Sequence, residues 1–548
     1  MKTLWATLLL LLIGLATPAT AQPATTYQNP VLPGFYPDPS VCRVGNDFYL
    51  VNSSFEYYPG VPIFHSTDLV NWEQIGYVLN RPSQLPLAKA EASLGIFAPT
   101  IRYHDGTFYV ITTNILGGWN FLVTAKNPAG PWSEPVWIKT NAEGGPFIID
   151  PSLFFDDNGK VYLTTTGRQN GVPGIQLAEI DVTTGKLLTQ QTGIWPGTGG
   201  RYPEGPHLYK KDGWYYLLIA EGGTEYGHKV TIARSKAITG PYVSNPANPI
   251  LTHAQVSAQD SPVQGVGHAD LVQAPDNSWW LVALGFRVIG PRSNHHTLGR
   301  ETFLAPISWP AGEWPVVNGN GTLAENMTVP TLPLHPFPAP AVRDDFSAGQ
   351  LGFTWNYLRN PDPAAYSLTD RKGFLCLRGG VITLDSTLGS PTFVGRRQQH
   401  YAFTATTALD FTPQQVGQEA GFTVLMDNRH HYDVFIRQAG GQRRLVLAYT
   451  LGRMRHLEKE VPLAPGPVQL RVTGTPRTYA FSYAQGNQAF KPLDTADTYL
   501  LSTETAGGNT GVFLGLYATA SGATAAPAAL FDWFDYAPQS LSPAKQAH

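Results

Sequence analysis

Asp38 stands between two prolines in FYPDPSVCRVGNDFYLV (residues 35–51), just ahead of a run that reads as a buried strand. Asp150 holds the same place in DPSLFFDDNGKVYLT, Glu204 in EGPHLYKKDGWYYLL and His268 in HADLVQAPDNSWWLV. Brought together, side chains of these types do proton-transfer chemistry, one carboxyl giving a proton while another takes one. The flanking prolines fix φ at positions 37 and 39 and push Asp38 itself toward extended geometry. A carboxylate so held is positioned in advance for chemistry. Taken singly, each acid also reads as an ordinary turn residue, because Asp before Pro is common in loops. Three acids at one repeat position argue for more.

The elements that must position them are repeats. A fifth segment, APTIRYHDGTFYVI from Ala98, shares the same plan of short apolar strand, polar turn and aromatic-rich strand. The starts fall at intervals of roughly 50 to 65 residues, room for about four short strands each. The third and fifth units carry one inserted residue in their turns. Five such units predict a five-bladed β-propeller, in which each blade buries its faces against its neighbours and the innermost strands line a channel. Asp38, Asp150, Glu204 and His268 then face one cavity, and Ala98 stands at the same level with a small group.

Around that core the chain divides. Its 548 residues exceed one hydrophobic core. Lys2, the apolar run Leu8 to Leu15 and Ala19-Thr20-Ala21 ahead of Gln22 fit a cleaved export signal over residues 1–21. The run is too short to cross a bilayer, so the mature protein is expected to be exported, periplasmic or extracellular, without membrane insertion. Residues 22–321 form the expected propeller, and TLAENMTVPTLPLHPFPAP (residues 322–340) reads as a stiff Pro-rich linker. Asn326-Met327-Thr328 within it matches a glycosylation sequon. Residues 341–548 contain many short apolar segments, among them YAFTATTALDF, AGFTVLM, VQLRVTG and LFDWFDY, which predict an antiparallel β-sandwich. The fold class is therefore all-β throughout.

Composition removes other classes. Net charge is −3 with no Lys/Arg-rich run, which argues against nucleic acid or an anionic membrane as partner. Cys42 and Cys376 are too few for a disulfide framework; two buried thiols are expected ahead of one bridge.

Several long motifs in order resemble glycoside hydrolase family 43, of the β-xylosidase and α-L-arabinofuranosidase kind. They are NPVLPGFYPDPSVCRVGNDFYLV, GIFAPTIRYHDGTFYVITT, DPSLFFDDNGKVYLT, YPEGPHLYKKDGWYYLLIAEGGT and LGRETFLAP. The second half is similar to the concanavalin-like domain of two-domain β-xylosidases through VRDDFSAGQLGFTWNYLRNP and GRRQQHYAFTATTALDFTP. The resemblance implies Asp38 as general base, Glu204 as general acid, and Asp150 as the group that orients the acid and raises its pKa. It implies inversion, which needs about 6.5 to 9.5 Å between base and acid. It implies exo action too, because one loop of the sandwich helps close the active-site mouth in those relatives. No cofactor is required for the chemistry.

Two further positions follow from it with alternatives open. His268 matches a histidine that helps hold an axial calcium ion; a structural or substrate-facing histidine is the other reading, since calcium prefers oxygen ligands. Arg287 in LGFR matches an arginine that contacts sugar hydroxyls, against a surface salt-bridge partner. Phe97, beside the second repeat, reads as a subsite wall or as a packed core ring. Trp72 reads as blade core. His207, His228 and His253 are assigned no role. The expected substrate is a xylo- or arabinoxylo-oligosaccharide, and the residues do not choose between β-D-xylose and α-L-arabinofuranose. A β-D-xylosidase is the leading expectation, with α-L-arabinofuranosidase or both activities as the alternative. A non-catalytic glycan-binding propeller is the different-class alternative, against which the presence of all three acids argues.

Overall fold

The computed structural model describes residues 25–116, 119–139, 148–290, 294–329, 333–521 and 527–540. The expected export signal lies outside them. Among the described residues the regular structure is almost wholly strand, with one α-helical turn at Thr503–Ala506 and short 3-10 turns at Pro363–Ala365 and Thr498–Leu501. No helix among them is long and apolar enough to cross a membrane.

Five antiparallel sheets follow one another in the order of the five repeats. Their innermost strands are Ser40–Val44, Thr100–His104, Ser152–Phe155, Glu204–Lys211 and Val263–Gln273. Each pairs with the aromatic-rich strand that follows it, and the third and fourth blades add a fifth short strand. The propeller expected from the repeats is the fold observed.

Two residues beyond the repeat heads Asp38, Asp150 and His268 come Ser40, Ser152 and Asp270. These second-layer groups bond across the axis. The Arg102 guanidinium donates to Asp270 Oδ2 at 2.8 Å and to His207 Nδ1 at 2.9 Å. Ser40 Oγ and Tyr209 OH donate to the same carboxylate at 2.6 and 2.5 Å, and Ser152 Oγ lies 3.1 Å from His207 Nδ1. Every blade supplies at least one member. Burial would raise the Asp270 pKa, but Arg102, with His207 and Ser40, holds it well below the carboxylate range. Burial lowers the His207 pKa to about 3, so its neutral ring accepts from Arg102.

The ring is tied shut by the N-terminal segment. Thr25–Gln28 pairs with Asn326–Val329, and Asn29 exchanges side-chain hydrogen bonds of 2.9 Å with both backbone groups of Leu304. The segment expected to be an aperiodic linker thus contains a strand. The sequon asparagine is part of that pairing, because Gln28 Nε2 donates to Asn326 Oδ1.

Beyond it two eight-stranded sheets form the sandwich. In one sheet Val468–Gly474 alternates between buried and half-buried residues, as expected for a face open to water. In the other, Gln418–Asp427 and Phe513–Ala520 are buried almost throughout, because both faces are covered. One face meets the first sheet; the other packs Phe393, Phe435 and Phe513 against Phe35, Phe55 and Tyr57 of the propeller. Tyr57 stacks on Phe513 with centroids 3.9 Å apart. The strand Tyr57–Tyr58 then completes the sandwich sheet by pairing with Asn356–Leu358, so one sheet runs through both domains. Cys42 and Cys376 are both free and buried.

Arg359 locks this junction. It is only 1% exposed, and its guanidinium donates to the carbonyls of Ala90, Gly389 and Thr387. Arg359→Met leaves those carbonyls without their donor, and calorimetry should show a loss of about 3 kcal/mol. Arg371, exposed and 3.6 Å from Asp410, is the control: Arg371→Met should change stability by less than about 0.5 kcal/mol.

Candidate active site

The first layer of the axis holds the three acids. Asp38 is 5% and Asp150 6% exposed, while Glu204 is half-buried. Asp150 Oδ2 accepts the N–H of Gly205, the residue after Glu204, at 3.1 Å. The His268 ring lies against Gly205, where a Cβ would come within 3.0 Å of its Nε2, and Nδ1 of the same ring is 3.8 Å from Asp38 Oδ1. Gly205 has φ +59° and sits in an irregular stretch between Glu204 and His207. A bulge of this kind re-aims the side chain beside it, here the carboxyl of Glu204.

Asp38 is not extended as its prolines suggested. Its φ is +52°, as is that of Asp150, and His268 has +43°. Asp and His are among the residues that enter this left-handed region most readily. The cost is borne by side-chain bonds that fix Asp38: Arg300 Nη1 donates to Oδ1 at 2.8 Å and Ser53 Oγ to Oδ2 at 2.5 Å.

These contacts split the acids. Burial pushes the Asp38 pKa up, but Arg300, His268 and Ser53 outweigh it and hold the carboxyl below its usual range. Glu204 is driven well above its usual range by burial, then by the negative charges of Asp150 and Asp38. Burial also raises Asp150, with His268 and the Gly205 N–H opposing. One carboxyl is thus held toward the ionised form and another toward the protonated form. Asp38 fits a base, Glu204 an acid, and Asp150 the charge that keeps the acid protonated.

Arg300, unassigned from sequence, is the central cation of the site. It lies within LGRETFLAP, directly before the strand Glu301–Ser308. Neighbours in an extended chain point to opposite sides. Arg300 therefore faces Asp38 while Glu301 faces Arg287, which grips it with two hydrogen bonds of 2.8 Å. The structure does not bring Arg287 to the acids: the salt-bridge alternative describes its geometry, although the pair is largely buried. Phe97 is half-buried and packs on Phe55 with centroids 5.3 Å apart, against the apolar cluster at the domain junction. The Arg300 guanidinium lies 5.6 Å from the Phe55 ring, so Phe55 stands beside the site, next to buried Ala98. Ser53 and Phe55 come from a stretch, NSSFEYYPG, that carries no repeat signal. His228, fully buried and lowered to about 3 by burial, packs against Gly267 next to His268. Trp72 packs in the blade core, and His253 bridges Val263 and Leu323 through backbone groups.

The donor set does not suit calcium. Among the described residues no group of three or more His, Cys, Asp or Glu side chains is arranged to hold a metal. His268 offers one imidazole, the Asp38 oxygens beside it already accept from Arg300 and Ser53, and the second layer has the Arg102 cation instead.

Beside Arg300 lies a cavity bounded by both domains. It has a volume of about 190 Å³ and is lined by Thr224, Tyr226, Phe286 and Arg300 of the propeller and by Glu504 and Asn509 of the sandwich. Glu504 accepts from the His296 N–H at 3.0 Å and from Tyr226 OH at 2.8 Å, with His296 Nδ1 also 2.8 Å away. The Asn509 N–H donates to Ser93 Oγ at 2.8 Å. The sandwich strap is thereby pinned across the pocket.

A propeller axis that gathers one carboxyl held toward the ionised state and another held toward the protonated one suits a hydrolase that works by paired acids. The profile of glycosyl hydrolases family 43 matches residues 27–315, and that of the β-xylosidase C-terminal concanavalin A-like domain matches residues 343–537. The chain belongs to glycosyl hydrolase family 43. It is 45% identical to a non-reducing end α-L-arabinofuranosidase of Bacteroides ovatus, over 96% of this chain and 98% of that protein. It is 41% identical to a xylosidase/arabinosidase of Butyrivibrio fibrisolvens, over 90% and 96%. The crystal structure of a xylan β-1,4-xylosidase from Bacillus halodurans superposes with a TM-score of 0.87 at 37% identity, over 93% of this chain and all of that one.

Removing either neighbour of the acid and base should move opposite limbs of the pH profile of kcat/KM. Asp150→Asn takes a negative charge from beside Glu204, lowers its pKa and shifts the alkaline limb down by about one unit. Arg300→Lys loosens the contact to Asp38, raises its pKa and shifts the acidic limb up. Glu204→Gln should abolish cleavage of oligosaccharides yet keep activity on glycosides with good leaving groups, whereas Asp38→Asn should be nearly inactive on both.

Proposed function

We propose that this hydrolase removes single terminal pentoses from xylan-derived or arabinose-decorated oligosaccharides, with inversion, and acts chiefly as a β-D-xylosidase. The observation that carries the reading is the opposed state of Asp38 and Glu204 in one pocket. Glu204 gives its proton to the glycosidic oxygen as the bond from C1 breaks. Asp38 takes a proton from a water on the other face of the sugar as the new bond to C1 forms. Asp150 keeps Glu204 protonated until that step and favours its reprotonation afterwards. A single displacement of this kind inverts the anomeric centre.

The strap from Glu504 to Asn509 supports exo action, because a pocket closed on one side admits a chain end. A second reading, α-L-arabinofuranosidase, is favoured by the name of the relative that is 45% identical. We further propose that the chain is exported, on the strength of Lys2, the apolar run Leu8 to Leu15 and the small residues before Gln22.

Parallel assays on aryl β-D-xyloside and aryl α-L-arabinofuranoside decide between the two sugars: the larger kcat/KM is expected on the xyloside. Proton NMR during hydrolysis should show α-xylose first, with the β anomer growing in by mutarotation; β-xylose first would overturn Asp38 as a base acting through water. Xylo-oligosaccharides should release monomer from the first time point, and a rapid fall in the viscosity of polymeric xylan would mean an open cleft.

A further inference from the structure

The acids account for the bond that breaks but not for what holds the departing sugar. Tyr202 stands two residues ahead of Glu204, in RYPEGPH. At 62% it is the most exposed large aromatic side chain among the described residues. Its φ is +51°, a costly conformation for a bulky residue and one that concentrates where function requires it. A tyrosine with no part in the core has no packing reason to hold it.

The ring is nonetheless supported. Part of it rests on Gly223, where a Cβ would come within 3.2 Å of Tyr202 Cδ2, and the φ of +77° at Gly223 also favours glycine. The Gly222 N–H donates to the Arg201 carbonyl at 2.7 Å, fastening the two segments together. The Arg201 guanidinium lies 5.5 Å from the ring centroid and 3.3 Å from Glu225. Thr224, next after Gly223, accepts from Arg300 at 3.0 Å, and the same nitrogen of Arg300 holds Asp38. Tyr202 is thus fixed against the segment whose Thr224 and Glu225 line the cavity, joined by sequence to the acid and through Gly223, Thr224 and Arg300 to the base. The group expelled from the substrate leaves beside the acid that protonates it, and Tyr202 precedes that acid by two residues.

We propose that Tyr202 is the platform of the leaving-group subsite, on which the ring of an uncharged sugar stacks by its C–H face. An aromatic ring offers broad apolar contact at low cost in side-chain freedom, with a polar tip that stays wet. The inference rests on the glycosidase reading above and assigns the specificity of its far side: Tyr202 favours oligosaccharides over glycosides whose leaving group has no ring.

The test compares the wild type with Tyr202→Trp, Tyr202→Ala and Tyr202→Asn, the last because Asn tolerates left-handed backbone. Each is assayed on a pentobiose and on the matching pentosyl fluoride, which has no ring beyond the scissile bond. The Ala and Asn variants should lose about tenfold in kcat/KM on the disaccharide, mainly through KM, and stay within about twofold on the fluoride. Trp should preserve both. A parallel loss on the fluoride would assign Tyr202 to holding Glu204 in place, and an unchanged disaccharide rate would remove it from the subsite; either result overturns the proposal. A wild type that cleaves neither pentoside overturns the choice of sugar instead, and the same comparison is then made on the disaccharide and fluoride of the sugar it does cleave.

Discussion

The site depends on placing three carboxyl groups in one poorly hydrated pocket beside the Arg300 guanidinium. Ionising all three would set like charges against one another where water screens them little, so the protons are shared unequally. Arg300 and Ser53 bond directly to Asp38, which takes the negative charge. Glu204 has neither contact and faces two negative neighbours, so it keeps its proton. Which carboxyl carries the negative charge follows from where one cation is attached.

The propeller makes that arrangement possible by delivering side chains from separate blades to one axis. They fall into two layers: the acids and His268, then Arg102, Asp270, His207 and Tyr209, which bond to one another across the axis. The second layer fixes the inner strands in register with one another, and the first layer depends on that register. Left-handed backbone at Asp38, Asp150 and His268 turns each head residue out of its strand. The acid of the fourth blade is re-aimed by the irregularity at Gly205 instead.

The sandwich is joined to this machinery by continuous structure. Residues 53–58 run from Ser53 on Asp38, through Phe55 beside Arg300, to Tyr57 in the sandwich sheet. One short segment therefore touches the base, stands beside the site and seals the domain junction. Glu504 and Asn509 return from the sandwich to meet the propeller. The second domain supplies part of the wall of the cavity beside Arg300.

The amino-acid sequence alone was enough to identify the repeats, the propeller and the three acids, because inner strands repeat a local pattern of apolar run, turn and aromatic run that needs no knowledge of distant contacts. It also marked the sandwich, whose second sheet reads as continuous apolar runs because propeller residues cover its outer face. Arg300 was out of reach: an arginine before a strand looks the same whether it turns to the axis or away, and Arg287, equally plausible in sequence, turns to Glu301. The same holds for Ser53 and Phe55, which belong to no repeat, and for the strand Asn326–Val329, which exists because Thr25–Gln28 lies beside it. Asp38 shows the limit within a single residue. Its neighbours predicted extended backbone, and contacts with Ser53 and with Arg300, 262 residues away, hold it at a positive φ. Local patterns set the strands and place the acids at their heads; only the closed ring decided which cation met them, and so which acid keeps its proton.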